Sequence, residues 1–186
     1  MAITIIRKVS VSGGTVLRAA NNLGDVASAA TSRTNLGLGT GDSPQFTALK
    51  GTTTNDNAAT GYIGEYVSST VANGSAITLT NATAANVTSL SLTAGDWDVS
   101  GVITFNGAVT GSYSTAGIST TSATLQAYPN SVDSPYLPTA AANASTFVPA
   151  IRISVASTTT VYLVALEAFS AGTAKAYGFI SARRVR

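Results

Sequence analysis

Asp96 and Asp98, two carboxylates on either side of Trp97, are the residues of this 186-residue chain whose type and spacing come closest to chemistry. Such a pair can hold Ca²⁺ together with backbone oxygens, or share acid and base work on a glycan. Against this, the period-two pattern of residues 97–105 sets Asp98 on the face opposite Trp97. Ala94-Gly-Asp also reads as a turn between two strands, with Trp97 pointing into the core. No further acidic cluster lies nearby, because the eight Asp and Glu are dispersed along the chain. The chain has no His and no Cys, which removes the commonest general base, the commonest metal ligand, thiolate chemistry and disulfides. No catalytic residue, metal site or cofactor is therefore assigned, and the expected role is not enzymatic.

Recognition is the other chemistry that the residue types allow. The loop Tyr128-Pro-Asn-Ser-Val-Asp-Ser-Pro-Tyr-Leu-Pro-Thr139 holds two tyrosines on a proline-stiffened segment, with an amide and a carboxylate between them. Aromatic faces beside such groups stack on sugars and bond their hydroxyls, so Tyr128, Asn130, Asp133 and Tyr136 are candidate receptor contacts. In the competing reading the prolines close a crossover loop and the tyrosines seal a sandwich edge. Glu167, on a strongly apolar strand, either pairs with Lys175 or Arg152 to set subunit register or sits at a solvated strand end.

Composition narrows the partners. Only 10% of residues are charged, against about 25% in an average soluble protein, and the mean hydropathy is +0.27. Much of the apolar count is Ala scattered among Ser, Thr and Asn, and no window reaches the roughly 18 apolar residues of a spanning helix, so membrane insertion is not expected. The start places Arg7 and Lys8 after a short apolar run, the reverse of a secretory signal, which favours assembly over export. A net charge of +2, with basic residues concentrated only at Arg7-Lys8 and Arg183-Arg184-Val-Arg186, gives no nucleic-acid signature. Those basic termini are expected to meet a neighbouring subunit or solvent.

The elements that position these residues fall into four stretches. Residues 3–11 are rich in β-branched types and read as a strand, with Ile3, Ile5, Ile6, Arg7 and Lys8 as candidate anchoring residues within a segment 1–20. Residues 21–37 read as a short helix, capped by Asn22 or Asp25, striped by Leu23, Val26, Ala30 and Leu36, and ended by Gly37. A helix this short is marginal alone, and its narrow apolar stripe suits a collar of identical helices, or a surface helix packed on the main domain. Residues 38–60 have a linker composition pinned by Phe46 and Leu49.

From 61 to 186 the apolar pattern has period two, with frequent turn residues, which predicts an all-β sandwich of about eight strands, jelly-roll-like. The clearest strand is 97–105, with Trp97, Val99, Gly101, Ile103 and Phe105 inward. Phe147, Ile151, Ile153 and Val155 form a second inward set. Val161, Leu163 and Ala165 form a third, opposed by the equally apolar Tyr162, Val164 and Leu166, which suggests a subunit interface on that face. Weaker strands are predicted at 62–67, 76–80, 87–92, 118–128 and 174–183.

Three pieces in the first part of the chain, Asn-Leu-Gly-Asp-Val-Ala-Ser at 22–28, Ala-Ala-Thr-Ser-Arg-Thr-Asn-Leu-Gly-Leu-Gly at 29–39 and Ser-Pro-Gln-Phe-Thr-Ala-Leu at 43–49, resemble the recurring linker of bacteriophage tail fibres and related virion appendages. Gly61–Ser69, Ser91–Gly101 and Gly117–Ser122 look like the head domain at the C-terminus of many such proteins. The resemblance implies a homotrimeric virion protein, assembled in the bacterial cytoplasm, that attaches to other virion proteins through its N-terminus and presents its head to a host-surface glycan or protein. The alternative that it leaves open is a capsid decoration or head-fibre protein of the same fold.

Overall fold

In the computed structural model the chain is described at Val26 and at residues 28–48, 50–51, 53–134 and 143–186. It divides into two compact units, with the break after Thr54. The first contains helix α1, Ala29–Asn35, which is shorter than its predicted span. Ser28, not Asn22 or Asp25, is its cap, and the Ser28 hydroxyl accepts from the Thr31 N–H at 3.2 Å. Gly37 takes up the left-handed conformation just past the end, at φ 70°, as its position predicts. The apolar side of the helix runs through Val26, Ala29, Leu36 and Leu38, leaving Ala30 off that line. Phe46 is 61% exposed, and Leu49 lies outside the described residues.

The second unit is an all-β, jelly-roll-like sandwich of nine strands among the described residues: β1 Tyr66–Val71, β2 Ile77–Thr78, β3 Ala85–Leu92, β4 Gly95–Asn106, β5 Val109–Ser119, β6 Ser131–Ser134, β7 Asn143–Val155, β8 Thr159–Gly172 and β9 Lys175–Arg184. One sheet has the order β1-β9-β4-β7, with β2 also paired to β9, and the other has the order β3-β8-β5-β6. All pairings are antiparallel. Between the sheets lie Trp97, Val99, Ile103 and Phe105 of β4, Val161, Leu163 and Ala165 of β8, Ile118 of β5 and Ile180 of β9, all essentially inaccessible. Gly101, the gap in the β4 stripe, is required there: a Cβ would stand 2.8 Å from Leu163 Cδ1 and 3.1 Å from the Phe179 carbonyl oxygen.

Three strand expectations change. The predicted segment 118–128 is mostly a loop, and its strand lies earlier, at β5, where Gly, Ser and Thr obscure the alternation. The predicted inward set on β7 is split by a bulge: Val99 pairs Ile151 while Gly101 pairs Val148, so β7 carries one residue more than β4 across this step. The extra residue reverses the alternation. Ile151, Ile153 and Val155 pack on the core as expected, but Phe147 turns outward and is 73% exposed. Finally, the outward apolar residues of β8 are partly covered by the chain itself. Asn86 holds the 120–130 loop over that sheet, its Nδ2 donating to Ser122 Oγ and its Oδ1 accepting from the Ala123 N–H, both at 2.7 Å. Leu125 of this loop lies where a Cβ on Gly117, the cross-strand partner of Val164, would reach. Val164 is thus fully buried within one chain and is withdrawn as an interface residue, while Tyr162 and Leu166 keep some surface.

Candidate recognition surfaces

The outer face of the β3-β8-β5-β6 sheet brings together part of the predicted receptor set. Asp133 on β6 pairs with Thr115 on β5. Its Oδ1 accepts the Thr115 hydroxyl at 2.6 Å and its Oδ2 accepts the Tyr128 hydroxyl at 2.5 Å. The Asp133 carboxylate holds the Tyr128 phenol above its ordinary pKa, assisted by burial, so Tyr128 keeps its proton and acts as a donor. The Tyr128 ring is 65% exposed. Tyr113, outside the predicted set, stands two residues before Thr115 on the same strand and is 43% exposed. A lone aromatic in Gly-Ser-Tyr-Ser-Thr-Ala-Gly was its only signal.

Asn130 belongs elsewhere. It lines a groove of about 150 Å³ with Ser119, Gln126, Ile118, Ile151 and Ile153, where the edge of β7 faces the end of β5. Gln126 Nε2 donates to Ser119 Oγ at 2.9 Å, which fixes one wall of this groove. Tyr136, Leu23 and the anchoring candidates Ile3, Ile5, Ile6, Arg7 and Lys8 lie outside the described residues.

The carboxylates with catalytic spacing turn out to be structural. Asp96 is buried on the outer side of β4, where its Oδ2 meets Arg152 Nη2 at 2.9 Å and Arg186 Nη2 at 2.7 Å. The Ser154 hydroxyl, then Arg152 and Arg186, hold its carboxyl below the usual value against the opposing effect of burial. Asp98 is exposed, and Trp97 points into the core with its Nε1–H donating to the Thr93 carbonyl at 3.0 Å. Among the described residues no group of three or more Asp, Glu, His or Cys could hold a metal.

The basic C-terminal run is not simply a solvated or subunit-facing tail. Arg184 is 4% exposed and acts as a hub. Its Nε donates to Glu65 Oε2 at 2.9 Å, its Nη1 to the Ala94 carbonyl at 2.7 Å and its Nη2 to Thr93 Oγ1 at 2.5 Å, with the guanidinium 4.3 Å from the centre of the Trp97 ring. Burial alone would raise the Glu65 carboxyl, but the Gly61 N–H and Arg184 outweigh it and hold it low. Glu167 makes neither predicted pair. It faces inward, fully buried, with no hydrogen-bond partner for either oxygen, opposite the equally unpartnered Ser114 hydroxyl on β5.

The outer face of the other sheet has a different character. Across β1, β9, β4 and β7 one row reads Thr70, Phe179, Val102, Phe147. The rows beside it are Ser68, Ser181, Ser100 on one side and Tyr177, Thr104, Ser145 on the other. No charge enters these three rows, and Phe147 and Phe179 line a concavity of about 270 Å³ with Val102 and Ser100. A charged row, Arg183, Asp98 and Arg152, borders the patch at one end.

No family model matches this chain, and no curated protein matches it in sequence. Among solved structures it is similar to a chain in the structure of infectious bursal disease virus Gx strain, with TM-score 0.44 and 14% identity over 65% of this chain and 32% of that one. Similar likenesses are found to infectious bursal disease virus Gt strain (TM-score 0.38, 17% identity, 69% of this chain and 30% of that one) and to the infectious bursal disease virus VP2 subviral particle (TM-score 0.37, 16% identity, 64% and 30%). The chain spans about a third of the length of these chains.

Proposed function

We propose that this chain is a non-enzymatic virion structural protein: a short homotrimeric tail fibre that attaches to the virion through its N-terminal segment and presents its β-sandwich head to the host surface. The observation that carries this reading is an uncharged sheet face with an exposed phenylalanine, on a jelly-roll head that follows a fibre-like linker in sequence. Polar groups on that face are Ser, Thr and Tyr hydroxyls, which desolvate at far lower cost than charges. Covering Phe147 is worth about 1.5–3 kcal/mol per chain. The face suits a second copy of the same head better than the partly covered β8 face does, so the trimer contact is assigned to Phe147, Val102 and Phe179. The helix side carrying Val26 and Leu36 is a further self-association candidate. Three linked heads would then hold a repetitive surface ligand by avidity even where each site is weak.

Cryo-electron microscopy of intact virions tests the placement. Threefold density matching the head at the tail is the expected result. The same density on the capsid surface would make the chain a decoration protein, and heads without threefold symmetry would overturn the trimer.

A further inference from the structure

We infer that the outer face of the β3-β8-β5-β6 sheet is a platform for neutral, hydroxyl-rich sugar residues, built from Tyr113, Tyr128 and Asp133 with Thr115 as their support. The inference rests on the proposed host-contacting role of the head and names the class of ligand it takes.

Geometry provides the first argument. Asp133 is gripped from two sides by the Thr115 and Tyr128 hydroxyls, so its carboxylate is held in place, yet each oxygen keeps a lone pair for a ligand hydroxyl. Tyr113 and Thr115 stand on one face of β5, about 7 Å apart along the strand, so Tyr113 shares that face with the Asp133 carboxylate that Thr115 holds. Two exposed rings thus share one sheet face with an oriented carboxylate. Tyrosine faces of this kind stack on the C–H face of a pyranose while the carboxylate accepts from its hydroxyls. Little ordering is needed on binding, because strand pairing and the two hydrogen bonds already fix Asp133 and Tyr128.

Charge provides the second argument. Strands β3, β5, β6 and β8 contain no Lys or Arg, whereas Arg152, Lys175, Arg183, Arg184 and Arg186 all lie on β7, on β9 or just after it. An acidic sugar at the platform would meet the Asp133 carboxylate with no cation on that sheet to offset it, while a neutral sugar meets no such penalty.

The test measures binding of the full-length protein to immobilised neutral polymers (dextran, mannan and galactan), to polygalacturonate and to intact host cells. Tyr113→Ala and Asp133→Asn variants are assayed alongside, with mass and unfolding temperature as fold controls. Expected is binding to at least one neutral polymer and not to polygalacturonate, weakened by about two- to tenfold per site in each variant while the fold controls are unchanged. Cell binding that neither variant weakens and no neutral polymer competes would overturn the platform and leave the host-contacting reading standing. Neutral-polymer binding without cell binding would do the reverse. Equal binding to polygalacturonate would overturn the ligand class, and no binding to any target would overturn both readings.

Discussion

Arg184 joins three separate parts of the head through one guanidinium: Glu65 before the first strand, the Thr93–Ala94 turn, and the Trp97 ring. Arg184→Ala leaves the Glu65 carboxylate buried without its cation, and breaking a buried pair in this way costs about 3–5 kcal/mol. Urea unfolding of the full-length protein is expected to show that loss, with a smaller one for Glu65→Gln, which keeps part of the hydrogen bonding. Glu167 acts in the opposite direction with pH. Burial raises its folded pKa above the ordinary 4.5, so its contribution is full below that value and is lost as pH rises through the raised one. Glu65 and Asp96 are held low, so their contributions are present above the ordinary values of 4.5 and 3.8 and are lost as pH falls through the lowered ones. Thermal unfolding followed upward from acid pH should therefore give a stability maximum, and Glu167→Gln should flatten only its high-pH side. An unchanged high-pH limb in that variant would show that Glu167 does not titrate in the folded head. Neither role was legible in sequence: Arg184 sits in what reads as a solvated basic tail, and nothing local separates a buried Glu167 from one at a strand end.

Element by element, legibility follows how strongly alternation is expressed. β4 could be read from its Trp, Val, Ile and Phe because every second residue is large and apolar, and the one exception, Gly101, marks where Leu163 crosses. Gly101→Val is expected to cost about 1–3 kcal/mol through overpacking against Leu163 and the Phe179 carbonyl, measurable as a lowered unfolding temperature with the mass in solution unchanged. β5 and β6 escaped because strands dominated by small and polar residues have little amplitude at any period, and are strands here because β8 pairs with β5 along its length and β6 pairs with β5. In β7 the periodicity itself misled. Its apolar residues are genuine, but one additional residue near Pro149 puts Phe147 out of phase with Ile151. A bulge depends on the partner strand's register, which local pattern does not contain.

At the scale of the whole molecule, the head separates its charges: one sheet and the residues just after its β9 strand hold all its Arg and Lys together with an uncharged patch, and the other presents exposed tyrosines and a carboxylate. The proposed trimer follows from the patch, so Phe147→Asp is expected to shift the mass in solution from three chains to one while the isolated head keeps its fold, because the side chain touches solvent and not the core. Light scattering coupled to size exclusion checks this, and a variant that stays trimeric would move the interface elsewhere. The sequence by itself determined the all-β class, the inward faces of β4 and β8, the cap glycine at 37, and the lack of His and Cys that rules out their chemistries, because each follows from residue type or short-range spacing. Only the tertiary structure decided which apolar face is covered and which is open. Tyr162, Val164 and Leu166 look more exposed in sequence than Phe147 does, yet a loop held by Asn86 lies over the first face and a bulge turns Phe147 out on the other. Both outcomes depend on contacts between residues far apart in the chain, and no local periodicity records them.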